Sequence, residues 1–323
     1  MKRKILIDCD PGLDDALALL LALSHEDFDV LGVSTIAGNS TLENTTQNAL
    51  NLLEAFGRRD IPVAQGNRNP ILGNFNSGAH VHGFEGLGTV QLPKAQNSIH
   101  PLRAHEFIRK TLLESPEKVT LIATGPLTNL GMAISLYPEI CEHIEMISLM
   151  GGSVDVGNVG AVMEANLRND PEAAHIVFNS GLKIAMFGLN VTYATQTFPV
   201  EFDRLEAIGT PLSKMAATFY RDHFKSYAQS PYFKGDPSHD SCAVAYLIQP
   251  ELFTLEKLNV VIDLSGLYSR GQTIVDRHQV TQRAPNVYVA LASNREGFVD
   301  LMYKSVKKLS DQLKQTKVEK ELP

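Results

Sequence analysis

The chain has no tryptophan and only three cysteines in 323 residues. Cys9, Cys141 and Cys242 are odd in number and show no ligand spacing. That excludes a complete disulfide framework and a cysteine-based zinc site, and implies buried thiols in a reducing compartment, the cytoplasm. A basic surplus is also missing. The formal charge is −7, so no basic stripe exists to neutralise phosphates and nucleic acid is not an expected partner. No apolar run approaches the ~18 residues that a membrane span needs. Lys2-Arg3-Lys4 could open a signal peptide, but Asp8 and Asp10 interrupt any apolar segment behind it. What is present is ordinary for a globular protein, 44% hydrophobic and 20% charged residues.

The most unusual stretch lies near the start. An apolar run from Lys4 to Cys9 reads as a buried parallel strand and stops at Pro11-Gly12, a turn signal. A helical apolar pattern follows from Ala16 to Leu23. Asp8, Asp10, Asp14 and Asp15 therefore crowd the point where a first strand hands over to its helix, the end at which open α/β sheets bind ligands. Four carboxylates at one turn repel one another, which calls for a bound cation or raised pKa values. All of these donors are oxygens, which favours calcium or magnesium over zinc.

Beyond the turn, strands and helices alternate. Strands are expected at Val30–Ala37, Ile61–Ala64, Val119–Ala123, Glu145–Met150 and Lys183–Leu189, and later at Leu258–Leu264, Thr273–Val275 and Val287–Ala292. Ser40 and Glu43 form a capping-box pattern for a helix that runs to Phe56. Further helices are expected at Pro101–Glu114, Leu127–Leu136, from Asp170-Pro171 to Gly181, after His239-Asp240 and from Asn294, with a helical pattern over Phe198–Tyr227. This alternation predicts an α/β fold in which a central, mainly parallel sheet is flanked by helices, Rossmann-like. No repeat or linker divides it, so residues 1–323 are read as a single domain. Residues 67–97 and 221–238 are expected to form mobile active-site loops, the first carrying His82.

Polar clusters recur at strand ends and in these loops: Asn39, His82, Thr124-Gly125-Pro126, Asn158 with Glu164 and Asn166, and His239-Asp240. Together with Asp8-Cys9-Asp10-Pro11-Gly12-Leu13-Asp14-Asp15-Ala16 they resemble the inosine–uridine-preferring nucleoside hydrolases. The resemblance continues through Thr124-Gly125-Pro126-Leu127-Thr128-Asn129, Met150-Gly151-Gly152 and Asp170-Pro171-Glu172-Ala173-Ala174, and so covers nearly the whole chain. It implies hydrolysis of the N-glycosidic bond of ribonucleosides to ribose and free base. It implies calcium held by Asp10, Asp15 and Asp240 with the main-chain carbonyl of Thr124, and Asp10 as general base on a water. By the same resemblance Asp14, Asn39 and Asn166, with Asp240, hold the ribose 2′- and 3′-hydroxyls, and Asn158 and Glu164 the 5′-hydroxyl. His239, expected to titrate near neutrality, is the natural acid for the leaving base. His82 touches the base or shields the site, and Tyr227, Tyr232 and Phe233 are candidates to stack on it. Members of the family are usually homodimers or homotetramers.

The chemistry suits those residues. Glycosidic cleavage builds positive charge on the sugar, and a carboxylate-rich pocket stabilises it. Ala165 replaces the aromatic residue common in the family, and Asn190 stands where an acidic residue is usual. Within the family the likeness is greatest to bacterial ribonucleoside hydrolases of broad specificity, with a pyrimidine-preferring enzyme as the alternative. An aspartyl phosphatase is disfavoured, because Gly12-Leu13-Asp14-Asp15 would surround its phosphate with negative charge. A non-catalytic nucleoside-binding protein is disfavoured by the intact Asp10, Asp240 and His239.

Overall fold

The stretch Arg3–Cys9 carries charge only at its ends, and it forms β1, buried from Ile5 onward in the middle of a nine-stranded sheet. The computed structural model describes residues 2–228 and 230–321; position 229, within the expected second loop, lies outside the described residues. The other strands are β2 (Phe28–Thr35), β3 (Val63–Gln65), β4 (Val119–Ala123), β5 (Ile144–Met150), β6 (Ile184–Phe187), β7 (Phe253–Ile262), β8 (Thr273–Asp276) and β9 (Val287–Ser293). Their order is β3-β2-β1-β4-β5-β6-β9-β7-β8. All pairs from β3 to β9 are parallel, and only β7 runs antiparallel to its neighbours β9 and β8. The expected mainly parallel α/β sheet is present, in one domain.

The chain passes from β1 outward to β2 and β3, then returns to the opposite side of β1 to form β4. That reversal opens a crevice at the carboxyl ends of β1 and β4, which is where open parallel sheets bind ligands. Asp10 follows β1 and Thr124 follows β4 directly, so the topology delivers both to one place.

Each face of the sheet has its own apolar core. On one side the helix Leu13–Ser24 is buried along its whole length between the sheet and the helices Pro211–Tyr227, Ser241–Ile248 and Arg295–Glu321. Its sequence is apolar all round after Asp15, which suits a helix enclosed on every side. The other face is covered by the helices Ala104–Glu114, Thr128–Leu136 and Pro171–Phe178.

Several local expectations shift. Thr41, not Ser40, caps the helix Leu42–Ala55, accepting the Asn44 N–H; Ser40 Oγ instead donates to the Phe84 carbonyl across the crevice at 2.8 Å. β6 ends at Phe187, and Leu189–Thr192 is a helical turn. The helical pattern over Phe198–Tyr227 is two helices, Pro199–Glu206 and Pro211–Tyr227, because Gly209 takes a left-handed φ of 78° and Pro211 restarts the helix. Residues 221–227 are therefore the last turns of a helix rather than loop, and the irregular segment is 230–238. β7 begins at Phe253, five residues earlier than expected.

Residues 67–97 are irregular apart from the helical turn Ala79–His82. Distant side chains tie them down: Ile71 N–H to Asp170 Oδ2 at 2.9 Å, Asn76 N–H to Asn169 Oδ1 at 2.8 Å, and Thr89 N–H to Asp222 Oδ2 at 2.8 Å. Among the described residues no helix is long and apolar enough to cross a membrane.

Candidate active site

The turn after β1 sets the positions of three carboxylates. Asp15, at the third position of its helix, reaches back so that Oδ2 accepts the Gly12 N–H at 2.9 Å, while Oδ1 accepts Thr124 Oγ1 at 2.8 Å. Asn39 braces the same turn from the end of β2. Its N–H donates to Asp10 Oδ2 at 2.7 Å and its Nδ2 to Asp15 Oδ2 at 2.9 Å. Asp8 is the exception among the four aspartates. It stays within the sheet, accepting from Ser34 Oγ at 2.5 Å and Asn129 Nδ2 at 2.8 Å.

Two glycines make room for Asp10. A Cβ on Gly38 would stand 2.1 Å from Asp10 Oδ2, and one on Gly125 would stand 2.6 Å from Asp10 Oδ1. Gly38→Ala must therefore displace the Asp10 carboxylate by more than an ångström. A misplacement of that size costs on the order of 10²-fold in rate. We expect kcat to fall by about that factor with circular dichroism unchanged; a variant that turns over like the wild type would show that Asp10 needs no fixed seat.

The crevice holds a cavity of about 300 Å³, at the small end of ligand sites. Asp10, Asp14, Asn39, His82, Thr124, Asn158, Glu164, Asn166, Tyr227, His239 and Asp240 all line it. Asp15 is the one expected site residue outside the lining, held behind the wall by Thr124 and Gly12. Some of these side chains are also engaged in building the wall. Glu164 caps the helix Ala165–Asn169, accepting N–H groups from Asn166, Leu167 and Gly152 at 2.8 to 3.1 Å, and burial pushes its carboxyl up to about 7. Asn158 Oδ1 accepts the Ala165 N–H at 3.0 Å, and Asn166 Nδ2 donates to the Thr124 carbonyl at 2.9 Å.

Carboxylate oxygens of Asp14, Asp15 and Asp240 lie within 4.8 Å of one another, all buried. The resemblance assigned the cation to Asp10, Asp15 and Asp240; the geometry brings Asp14 together with Asp15 and Asp240, and Asp10 is not part of that group. Asp10 Oδ1, Asp14 Oδ1 and Asp240 Oδ2 are buried without a hydrogen-bond partner. Burial, and then the neighbouring carboxylates, push the Asp10 and Asp240 carboxyls well above the usual range and Asp15 to about 7. Orphaned, mutually repelling carboxylate oxygens are what a hard divalent cation satisfies, so the donor set fits a metal ion.

At the far end of the cavity His239 is enclosed, with Nδ1 2.8 Å from Thr192 Oγ1 and Nε2 3.0 Å from the Tyr227 hydroxyl. Burial, reinforced by positive charge at His223, outweighs the attraction of Asp14 and holds its pKa down at about 3. The expectation that it titrates near neutrality is thus corrected: the ring is neutral at physiological pH. His82 is also neutral, pushed to about 4 by burial, and its Nδ1 accepts the Leu13 N–H at 3.2 Å.

Sequence reasoning missed the pair His223 and Asp236. His223 lines the cavity, stacks on His82 at 5.4 Å, and holds Asp236 Oδ1 at 2.7 Å through Nδ1. Burial opposes its charge, but Asp236 overrides burial and lifts it to about 9, while Asp236 itself is raised by burial only to about 6. The pair is therefore charged at neutral pH. One signal was available: His223 and Tyr227 are four residues apart, on one face of a helix.

The description "inosine-uridine preferring nucleoside hydrolase" belongs to the protein family that matches residues 5–300. A pyrimidine-specific ribonucleoside hydrolase, RihA, from Photobacterium profundum is 42% identical over 304 residues, 94% of this chain and 98% of that protein. Among solved structures, a purine-preferring ribonucleoside hydrolase from Gardnerella vaginalis superposes with a TM-score of 0.89 at 30% identity, covering 95% of this chain and 99% of that one. A plant nucleoside hydrolase, PpNRh1, does so with a TM-score of 0.90 at 30% identity and the same coverage.

Proposed function

The chain belongs to the inosine-uridine preferring nucleoside hydrolase family and is a hydrolase acting on N-glycosyl bonds of ribonucleosides, and from that premise we propose that it prefers pyrimidine ribonucleosides and works with calcium. The preference is supported by the relative that is 42% identical over nearly the full length and is named pyrimidine-specific. It replaces broad specificity as the favoured reading.

The observation that carries the mechanism is the set of buried carboxylate oxygens without partners at the ends of β1 and β4. Calcium, held by Asp10, Asp15, Asp240 and the Thr124 carbonyl, would supply Lewis acidity and satisfy those oxygens. Asp10 accepts a proton from the attacking water, its second oxygen kept in place by the Asn39 N–H. Asp14, Asn39 and Asn166 bind the ribose 2′- and 3′-hydroxyls, and Asn158 and Glu164 the 5′-hydroxyl. The concentrated negative charge of the aspartates stabilises the sugar as it becomes oxocarbenium-like. At the base end, Tyr227 and His239 form a hydrogen-bonded pair; the neutral imidazole orients the Tyr227 hydroxyl, which donates a hydrogen bond to the departing base while the base takes its proton from solvent.

The deciding measurement is kcat/KM for uridine, cytidine, inosine and adenosine in buffer containing calcium. Uridine and cytidine should exceed the two purines by at least about tenfold, a difference of roughly 1.4 kcal/mol in transition-state binding. Equal values would restore broad specificity, and activity on none of the four would overturn the reading.

A further inference from the structure

The oxygen cluster is not the only place in this chain where ligand atoms converge. Asp14, His82 and His223 each bring one donor to within 4.8 Å of the others, all three residues buried. We propose that these residues form a second cation site, of different chemistry from the first, that binds zinc or a similar transition ion beside the substrate cavity.

Donor type separates the two sites. Asp10, Asp15, Asp240 and the Thr124 carbonyl offer only oxygen, which suits calcium. Two imidazole nitrogens and one carboxylate are a zinc-type set that leaves a coordination position open. Zinc bonds of about 2.0–2.2 Å need donors roughly 3–4 Å apart, and His82 Nδ1 already stands 3.9 Å from Asp14 Oδ1. That oxygen is buried and has no hydrogen-bond partner. His82 Nδ1 carries a lone pair, engaged only by the Leu13 N–H at 3.2 Å, a neutral contact that a coordinate bond can replace.

His223 supplies the second independent observation. Its Nδ1 is held by Asp236 Oδ1 at 2.7 Å, and Asp236 is itself fully buried. Metal-binding histidines are usually oriented in this way, with the remote nitrogen on a carboxylate that fixes the ring and makes the other nitrogen a stronger donor. Nε2 is then the free donor. The ring carries a proton when no metal is bound, and binding releases that proton to solvent. His82 and Asp14 line the nucleoside cavity, so zinc seated here excludes substrate.

The test uses the full-length protein saturated with calcium, dialysed against micromolar zinc and then analysed for both metals. Cobalt(II) serves as a spectroscopic probe of nitrogen coordination. The expected result is one zinc per chain without loss of calcium, a cobalt spectrum of low-coordinate type, and inhibition of turnover that is competitive with nucleoside. His223→Ala should lose the zinc and the cobalt spectrum while keeping calcium. Because that variant leaves Asp236 buried without its partner and can fail to fold, Asp236→Asn is the second probe. It keeps the imidazole in place and should weaken zinc about 10- to 100-fold. Zinc that exchanges one-for-one with calcium would show a single site and overturn the proposal. So would zinc retained equally by both variants, which would place it on the oxygen cluster or on surface histidines. Failure to bind zinc at all overturns it too and leaves the hydrolase reading untouched, since neither metal content nor the cobalt spectrum depends on turnover.

Discussion

Asp10→Asn should abolish most of the turnover, lowering kcat by at least about 10²- to 10⁴-fold, the range that a positioned general base contributes. The change is isosteric, and the amide oxygen can keep the Asn39 N–H that Asp10 Oδ2 now accepts at 2.7 Å. What it cannot keep is a basic oxygen at Oδ1, the atom buried without a partner. The variant also removes one of the acids that repel Asp15 and Asp14. In the presence of a chelator its melting temperature should therefore equal or exceed that of the wild type, because the buried carboxylates lose a like-charged neighbour. The measurements are kcat on uridine with calcium in excess, and thermal unfolding with chelator. A variant that keeps wild-type kcat removes Asp10 from the mechanism. A variant that unfolds well below the wild type under chelator shows that the loss of rate is structural.

The parallel sheet was legible because its signal is local and doubled: apolar runs such as Ile5–Cys9 and Val119–Ala123 each end in a turn motif and are followed by a helical pattern. Boundaries slipped where a second force competed. Leu189 continues the apolar run of β6 but turns into a helix after Gly188, and the Gly209-Thr210-Pro211 break was hidden inside a long amphipathic pattern. The order of residues 67–97 could not be read at all, since it depends on Asp170, Asn169 and Asp222, which lie tens of residues away in the chain.

The site divides in the same way. Asp10, Asp14, Asp15, Asn39, Asp240 and His239 sit in compact motifs whose residue types state their chemistry, and the fold brings them to one crevice. Asp8 shares the motif but lies inside β1, where Ser34 and Asn129 hold it, whereas Asp10 lies in the turn beyond the strand. His223 and Asp236 are thirteen residues apart in sequence, on a helix and in an irregular segment. Nothing local predicts their 2.7 Å contact. The protonation state of His239 was out of reach for a related reason: it follows from complete burial beside His223, which only the packed structure reveals.

His239→Ala should lower kcat on uridine by about 10²- to 10⁴-fold with little change in KM, and Tyr227→Phe should lower it to a similar degree. The coupling follows from the geometry. Both ring nitrogens of His239 are engaged, Nδ1 with Thr192 and Nε2 with the Tyr227 hydroxyl at 3.0 Å. The neutral His239 ring therefore acts on the base by orienting that hydroxyl. The phenol stays protonated, because burial and then the neighbouring Tyr193 hold its pKa well above the usual value, so it is a donor throughout the physiological range. A leaving group that needs no proton isolates this step. On p-nitrophenyl riboside both variants should retain nearly wild-type kcat, and the double variant on uridine should be no slower than either single one, since residues acting as one unit are non-additive. Equal losses on both substrates would instead make His239 a support for its neighbour Asp240. Additive losses on uridine would mean that Tyr227 and His239 act on the base separately.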